Sequence, residues 1–215
     1  MDLTLHSFWR ATAPHRVRIG LALKGLSYDY APVNLVGGQQ REAVYRDVNP
    51  LGLTPALEVD GRILTQSLAI LEWLEETHPE PPILPKAAVD RATVRAMAAI
   101  VACDIHPLNN LRVVRKLGEL GIDEAGVLAW AQGWVRAGFD ALEPIIAAYG
   151  GGFAFGNAPT IADCCLVPQA AAAAVRYHIQ LADWPALAAA VANAQQHPAF
   201  QAAHPDRQPD AIPHA

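Results

Sequence analysis

The sequence predicts a chain built in two parts, a mixed α/β unit followed by an all-helical unit. Three observations predict it. Up to about Pro79 the apolar residues change period repeatedly, between alternation and a spacing of three and four. The stretch "PEPPILPKA" then places four prolines within Pro79–Pro85, a short semi-rigid linker. Beyond it the apolar residues recur only at the helical spacing, and Ala is used heavily. The expected boundaries are residues 1–80 for the first unit and 87–215 for the second.

Within the first unit, "LTLHSF" (Leu3–Phe8) alternates apolar and polar residues and reads as a strand. It turns directly into a helix from about Pro14 to Lys24, where proline suits the first turn and Gly25 the end. Such a turn leaves backbone N–H groups aimed at whatever lies in front of it. The stretch Phe8 to Gly20 crowds Arg10, His15, Arg16 and Arg18 around that turn without a cysteine, a serine or an acid. This is an anion site in outline, and its anion comes from outside the chain. A second strand, "YDYAPVNL", ends in "GGQQ", and a helix-like "REAVYRDV" stops at Asn49-Pro50. "TPALEVDGRILTQS" reads as two short strands joined by an Asp60-Gly61 hairpin turn, followed by the helix "SLAILEWLEETH". The order β-α-β-α-β-β-α fits a four-stranded mixed sheet covered by helices.

In the second unit, helices are expected from Asp90 to about Lys116, from Glu124 to about Tyr149 and from Ile161 to about Arg176. The Ala170–Ala174 run marks a close helix contact. Thr160, three residues ahead of Asp163, forms a capping-box pattern and reads as a structural helix start.

Composition narrows the function. A chain of 215 residues with 52% apolar composition can bury a sizeable core, and its net charge of −5 is mild. Outside Arg10–Lys24 there is no basic run with interleaved aromatics, so nucleic acid is excluded as a partner. The N-terminus has no charged-then-apolar leader and no apolar run reaches about 18 residues, so a cytoplasmic protein without a membrane span is expected. Cys103, Cys164 and Cys165 are an odd number that includes an adjacent pair, and they read as buried small hydrophobes. No Cys–His cluster has metal-ligand spacing, and no metal is expected.

Seven stretches occur in order from end to end: "HRVRIGLALKG", "GGQQ", "NPLGLTPAL", "QSLAILEWLEETHP", "CDIHPLNNLRV", "ADCCLVPQ" and "AFQAAHPDRQPD". On these the chain resembles the zeta class of the glutathione transferases, the maleylacetoacetate and maleylpyruvate isomerases. The resemblance implies a thioredoxin-like N-terminal domain, an all-α C-terminal domain, glutathione as cofactor, a dicarboxylate substrate and a homodimer. It makes Thr54-Pro55 the cis-prolyl turn whose backbone lies alongside the cysteinyl part of glutathione. The alternative is a proline at a strand edge. It gives the γ-glutamyl carboxylate to the Gln66-Ser67 helix start, with Ser67 as a mere cap the alternative. Gln40 would meet the other end of the peptide.

The chain also departs from the class. The motif before "RVRI" is usually Arg-Ser-Ser-Cys-Ser-Trp, whereas here it is Arg10-Ala11-Thr12-Ala13-Pro14-His15. Thr12 is the one hydroxyl left, and it either donates to the glutathione sulfur or caps the helix. In the isomerases the thiolate adds to a cis double bond beside a ketone, and rotation followed by elimination returns the trans product. The substrate carboxylates and the developing oxyanion need cations, which directs attention to Arg10, His106, Arg112 and Arg176. Arg10 and Arg176 match arginines of the isomerases, although the alanine tract before Arg176 is one residue longer than usual. His106 and Asn110, four apart beside Pro107, are expected on one helical face. There they either line a cleft, with Asn110 and Arg112 reaching glutathione, or make a core contact. A glutathione-consuming transferase or dehalogenase of the same fold, and a non-catalytic glutathione-binding protein, remain the competing readings.

Overall fold

The computed structural model describes residues 1–212, and these divide into two compact units. One comprises Met1–Ile83 together with the chain from His197 onward, and the other Leu84–Gln196. The sequence reading assigns the closing stretch to the helical domain. The structure instead returns it to the first unit, where the Arg18 Nε donates to the Ala203 carbonyl at 3.1 Å.

The first unit contains β1 (Leu3–Ser7), α1 (Thr12–Leu23), β2 (Asp29–Pro32), α2 (Ala43–Val48), β3 (Ala56–Val59), β4 (Arg62–Thr65) and α3 (Ser67–Thr77). The strands form one sheet in the order β2-β1-β3-β4, with β1 and β2 parallel and the other two pairs antiparallel. In β1, Leu3, Leu5 and Ser7 are buried while Thr4 and His6 are only partly so, the alternation the sequence shows. β2 is shorter than "YDYAPVNL" suggests. It ends at Pro32, which has no N–H to extend the ladder. α1 starts two residues before Pro14, and a single turn of 3-10 helix (Gln39–Arg41) precedes α2. α1 packs on α3 so closely that Leu71 and Leu74 fill the space a Cβ on Gly20 would need. Leu5, Val17, Ile19, Leu57, Ile70 and Leu74 are fully buried, each contributing about 1.5–3 kcal/mol. A buried Lys24–Glu75 pair at 2.8 Å closes the unit. Lys24 also donates to the Pro81 carbonyl, and Glu75 accepts from the Ile83 N–H.

The second unit contains α4 (Ala88–Ala99), α5 (Leu111–Glu119), α6 (Glu124–Tyr149), α7 (Ile161–Tyr177) and α8 (Pro185–Gln196). α9 (Pro198–Ala202) belongs to the first unit. α6 and α7 match the sequence reading to within a residue, and Ala170, Ala172 and Ala173 are buried as a close helix contact requires. The helix expected from Asp90 to Lys116 is instead broken. α4 ends at Ala99, a π turn (Ile100–Ile105) and a 3-10 turn (His106–Asn109) follow, and Asn110 is extended at φ −65°, ψ 146° before α5 begins. Pro107 supplies the reason, since it has no N–H to donate back to Cys103 and its ring crowds that carbonyl. Cys164 and Cys165 are buried as expected, but Cys103 is exposed on this irregular stretch.

Candidate functional site

Strand register brings four segments of the first unit to one end of the sheet. β2 runs parallel to β1 with Pro32 opposite Ser7, β3 runs antiparallel with Ala56 opposite His6, and Thr65 ends β4 opposite Ala56. The turn from β1 into α1, the chain leaving β2 toward Gln40, the Thr54-Pro55 turn entering β3 and the Gln66-Ser67 start of α3 therefore all begin or end there.

At the β1–α1 turn, Ala11 is the N-cap in an extended conformation and makes no side-chain cap. The Thr12 and Ala13 N–H groups have no intrahelical acceptor, and Pro14 has no N–H to satisfy. Thr12 lies inside the first turn and so is not the cap. It is 7% exposed, and its hydroxyl is buried without a hydrogen-bond partner among the described residues. The Arg10 side chain is exposed, its guanidinium carbon 5.7 Å from the ring centroids of both Phe8 and Trp9.

The basic cluster read from the sequence is not one solvent-facing patch. Arg16 and Arg18 are 2% and 1% exposed. Arg16 Nη1 donates to the Ser67 hydroxyl at 3.2 Å, linking the starts of α1 and α3. Arg18 holds the turn itself: Nη1 donates to the Ser7 hydroxyl at 3.1 Å and to the Phe8 carbonyl at 3.5 Å, and Nη2 to the Trp9 carbonyl at 2.8 Å. Burial, reinforced by Arg18 and His204, drives the His15 pKa well below the ordinary histidine value. His15 therefore adds no charge at neutral pH.

Thr54-Pro55 is a cis peptide. The carbonyl just before it, that of Leu53, accepts from the Tyr45 hydroxyl at 2.8 Å and from Asn49 Nδ2 at 2.7 Å. Gly52 (φ 62°) permits this turn, because a Cβ there would lie 2.8 Å from the Gln40 carbonyl oxygen. Gln40 is itself buried. Its Nε2 donates to the Leu35 carbonyl at 3.3 Å, and its Oε1 has no partner among the described residues. α3 begins after Gln66, whose φ of 68° and ψ of 115° cost a non-glycine residue about 1–3 kcal/mol. Gln66 makes no side-chain cap, and Ser67, the first residue of the helix, is not a cap either.

Four predicted site residues lie in the second unit. His106 and Asn110 do not share a helical face. His106 opens the 3-10 turn, and Asn110 caps α5 by accepting the Arg112 N–H on Oδ1 at 3.1 Å. Arg112 is exposed in the first turn of α5. Despite the longer alanine tract, Arg176 is still in the last turn of α7, exposed and hydrogen-bonded to the Tyr177 side chain. Tyr177 in turn donates to the Asn109 carbonyl at 3.3 Å, so Arg176 is tied to the 106–110 stretch. Trp130 Nε1 secures that stretch from α6 by donating to the Leu108 carbonyl at 2.8 Å.

Sequence reasoning missed Tyr45, Asn49 and Arg18 as builders of these turns, and it missed Asp210. Asn49 carried a signal, since an Asn before Pro and Gly often shapes a turn, but it reads equally as a helix stop. Asp210 carried none, because its partner, the Trp9 N–H, is 201 residues away.

The chain is similar to known proteins over most of its length. The glutathione S-transferase N-terminal domain matches residues 12–77, and the glutathione S-transferase C-terminal domain matches residues 125–193. A maleylacetoacetate isomerase of Pseudomonas aeruginosa is 46% identical over 97% of this chain and 98% of that protein. The holo structure of a maleylpyruvate isomerase, a bacterial glutathione S-transferase of the zeta class, superposes with a TM-score of 0.94 at 44% identity, covering 97% of this chain and all of the other. A maleylacetoacetate isomerase from Anaeromyxobacter dehalogenans, solved with glutathione bound in its active site, has a TM-score of 0.89 at 44% identity, with 98% of each chain covered. With its thioredoxin-like mixed sheet and its all-helical second unit, the chain belongs to the glutathione S-transferase family, in the zeta class.

Proposed function

We propose that the protein is a glutathione-dependent cis–trans isomerase that converts a maleyl keto-diacid, maleylacetoacetate or maleylpyruvate, to its fumaryl isomer. The buried Thr12 hydroxyl, without a partner among the described residues at an uncapped helix start, carries this reading most directly. In a folded interior such a group costs about 1–3 kcal/mol unless a ligand completes it. A thiolate at this turn meets that hydroxyl and the Thr12 and Ala13 N–H groups.

When bound, glutathione supplies a thiolate that adds reversibly to the cis double bond and is returned unconsumed. The chain's own residues make that thiolate available at neutral pH. Lowering a thiol pKa by about 2 units from about 8.5 needs roughly 2.7 kcal/mol. The α1 start contributes up to about 2 kcal/mol and a charge-assisted hydrogen bond about 1.5–3 kcal/mol, so Arg10 and the helix suffice with Thr12 assisting. Ser67 and the open start of α3 hold the γ-glutamyl carboxylate, the Thr54 backbone pairs with the cysteinyl peptide, and Gln40 meets the far end. For the substrate carboxylates and the developing oxyanion the candidate cations are Arg10 of the first unit and Arg176 and His106 of the second, and Asn110 and Arg112 are the second unit's candidates for glutathione binding. The enzyme works as a cytoplasmic homodimer. Among the described residues no helix is long and apolar enough to cross a membrane.

An absorbance assay of both maleyl substrates, with and without catalytic glutathione, tests the reading. Turnover is expected only with glutathione and with no net loss of thiol. Stoichiometric thiol loss marks a conjugating enzyme or dehalogenase instead.

A further inference from the structure

The closing stretch of the chain folds back onto the first unit, and its polar groups converge on one turn. Asp210 accepts from the Trp9 N–H on Oδ2 at 3.1 Å and from the Tyr30 hydroxyl on Oδ1 at 2.6 Å. The Ala203 carbonyl takes the Arg18 Nε, while the other two nitrogens of that guanidinium hold Ser7, Phe8 and Trp9. Gln208 stiffens the stretch from inside by donating to the Ala202 and His204 carbonyls at 3.2 and 2.8 Å. We propose that residues 203–210 are a positioning element for the β1–α1 turn, with Asp210 and Arg18 as positioning residues for the glutathione thiolate. The proposal rests on the isomerase reading above.

The effect on the thiolate is electrostatic. Helix N–H dipoles stabilise an anion only when they are held in place, and the carbonyls of the same turn oppose them if they swing forward. Arg18 and Asp210 prevent that swing. The cation holds the Phe8 and Trp9 carbonyls, and the carboxylate holds the Trp9 N–H. Burial and the Asp210 carboxylate raise the Tyr30 pKa far above its ordinary value, so the phenol stays a donor throughout the working range.

The test is the pKa of the bound glutathione thiol, followed by the ultraviolet absorbance of the thiolate in the complex of the full-length protein. Asp210 is also a negative charge near the turn, which gives the experiment a sign. If the charge acts only through space, Asp210→Asn and Asp210→Ala both lower the thiol pKa. Positioning predicts the reverse: Asp210→Ala raises it by about one unit, a tenfold loss of thiolate below the pKa, and Asp210→Asn and Tyr30→Phe raise it by less. kcat/KM at neutral pH should fall about tenfold and recover at alkaline pH, with glutathione affinity measured at alkaline pH changed less than about twofold. An unchanged or lowered thiol pKa in folded Asp210→Asn and Tyr30→Phe overturns the inference. Absence of a thiolate band in the unaltered protein overturns the isomerase reading along with it, which separates the two failures.

Discussion

Two helix starts in this molecule are built in opposite ways. At α7 the capping box is complete. Thr160 Oγ1 accepts the Ala162 N–H, and Asp163 reaches back to the Thr160 N–H and hydroxyl and across to the Ala154 N–H at 2.7 Å. Burial pushes the Asp163 carboxyl up to about 6 even against those donors, so the group is wholly committed to the interior. At α1 the cap is Ala11, the Thr12 hydroxyl is buried without a partner among the described residues, and the flanking arginine is exposed. The chain supplies its own anion where the helix start is structural and withholds one where a ligand must enter.

Breaking the α7 cap should give the largest effect. Asp163→Ala leaves three buried donors without an acceptor and should lower unfolding stability by about 3 kcal/mol in a denaturant titration, with glutathione affinity of the folded fraction unchanged. A loss under about 1 kcal/mol would mean that the two starts differ less than their geometry indicates.

The arginines should show the opposite pattern, function without stability. Arg10→Met and Arg176→Met should each lower kcat/KM by about 10²-fold, roughly 2.7 kcal/mol, with the melting temperature nearly unchanged and lysine restoring only part. Unaltered turnover in Arg176→Met would make that side chain a support for Tyr177 alone.

Converting one start into the other sharpens the comparison. Ala11→Asp adds the missing cap to α1 and should raise stability by about 1 kcal/mol while weakening glutathione binding about tenfold or more, read by melting and by calorimetry. If affinity stays level, the thiolate does not sit at this helix start.

The smallest change is expected at Thr12. Thr12→Ala should cost no more than about tenfold in rate, close to 1.4 kcal/mol, because the helix start and Arg10 carry most of the stabilisation. A loss of about a thousandfold in the folded variant would instead give the hydroxyl the role of the serine that the class usually places here.

Many of the elements, and the family, can be read from local sequence alone. Alternation in Leu3–Ser7, the Asp60-Gly61 hairpin, the capping box at Thr160 and the uninterrupted period of α6 are local patterns, and each depends on residues within a few positions of one another. At Thr54-Pro55 and Gln66-Ser67 the residues themselves left a strand-edge proline and a plain helix cap open, and only the resemblance to the zeta class made them candidates. The tertiary structure alone decided the direction and company of the charged side chains. Arg16 and Arg18 read in sequence as cations crowding an anion site and are buried ties in the fold. His106 and Asn110 lose their shared face because Pro107 breaks the helix between them. Asp210 meets Trp9 across nearly the whole chain. Periodicity reports which side of an element is apolar, but a buried guanidinium or carboxylate is placed by partners distant in sequence, and only packing brings those together.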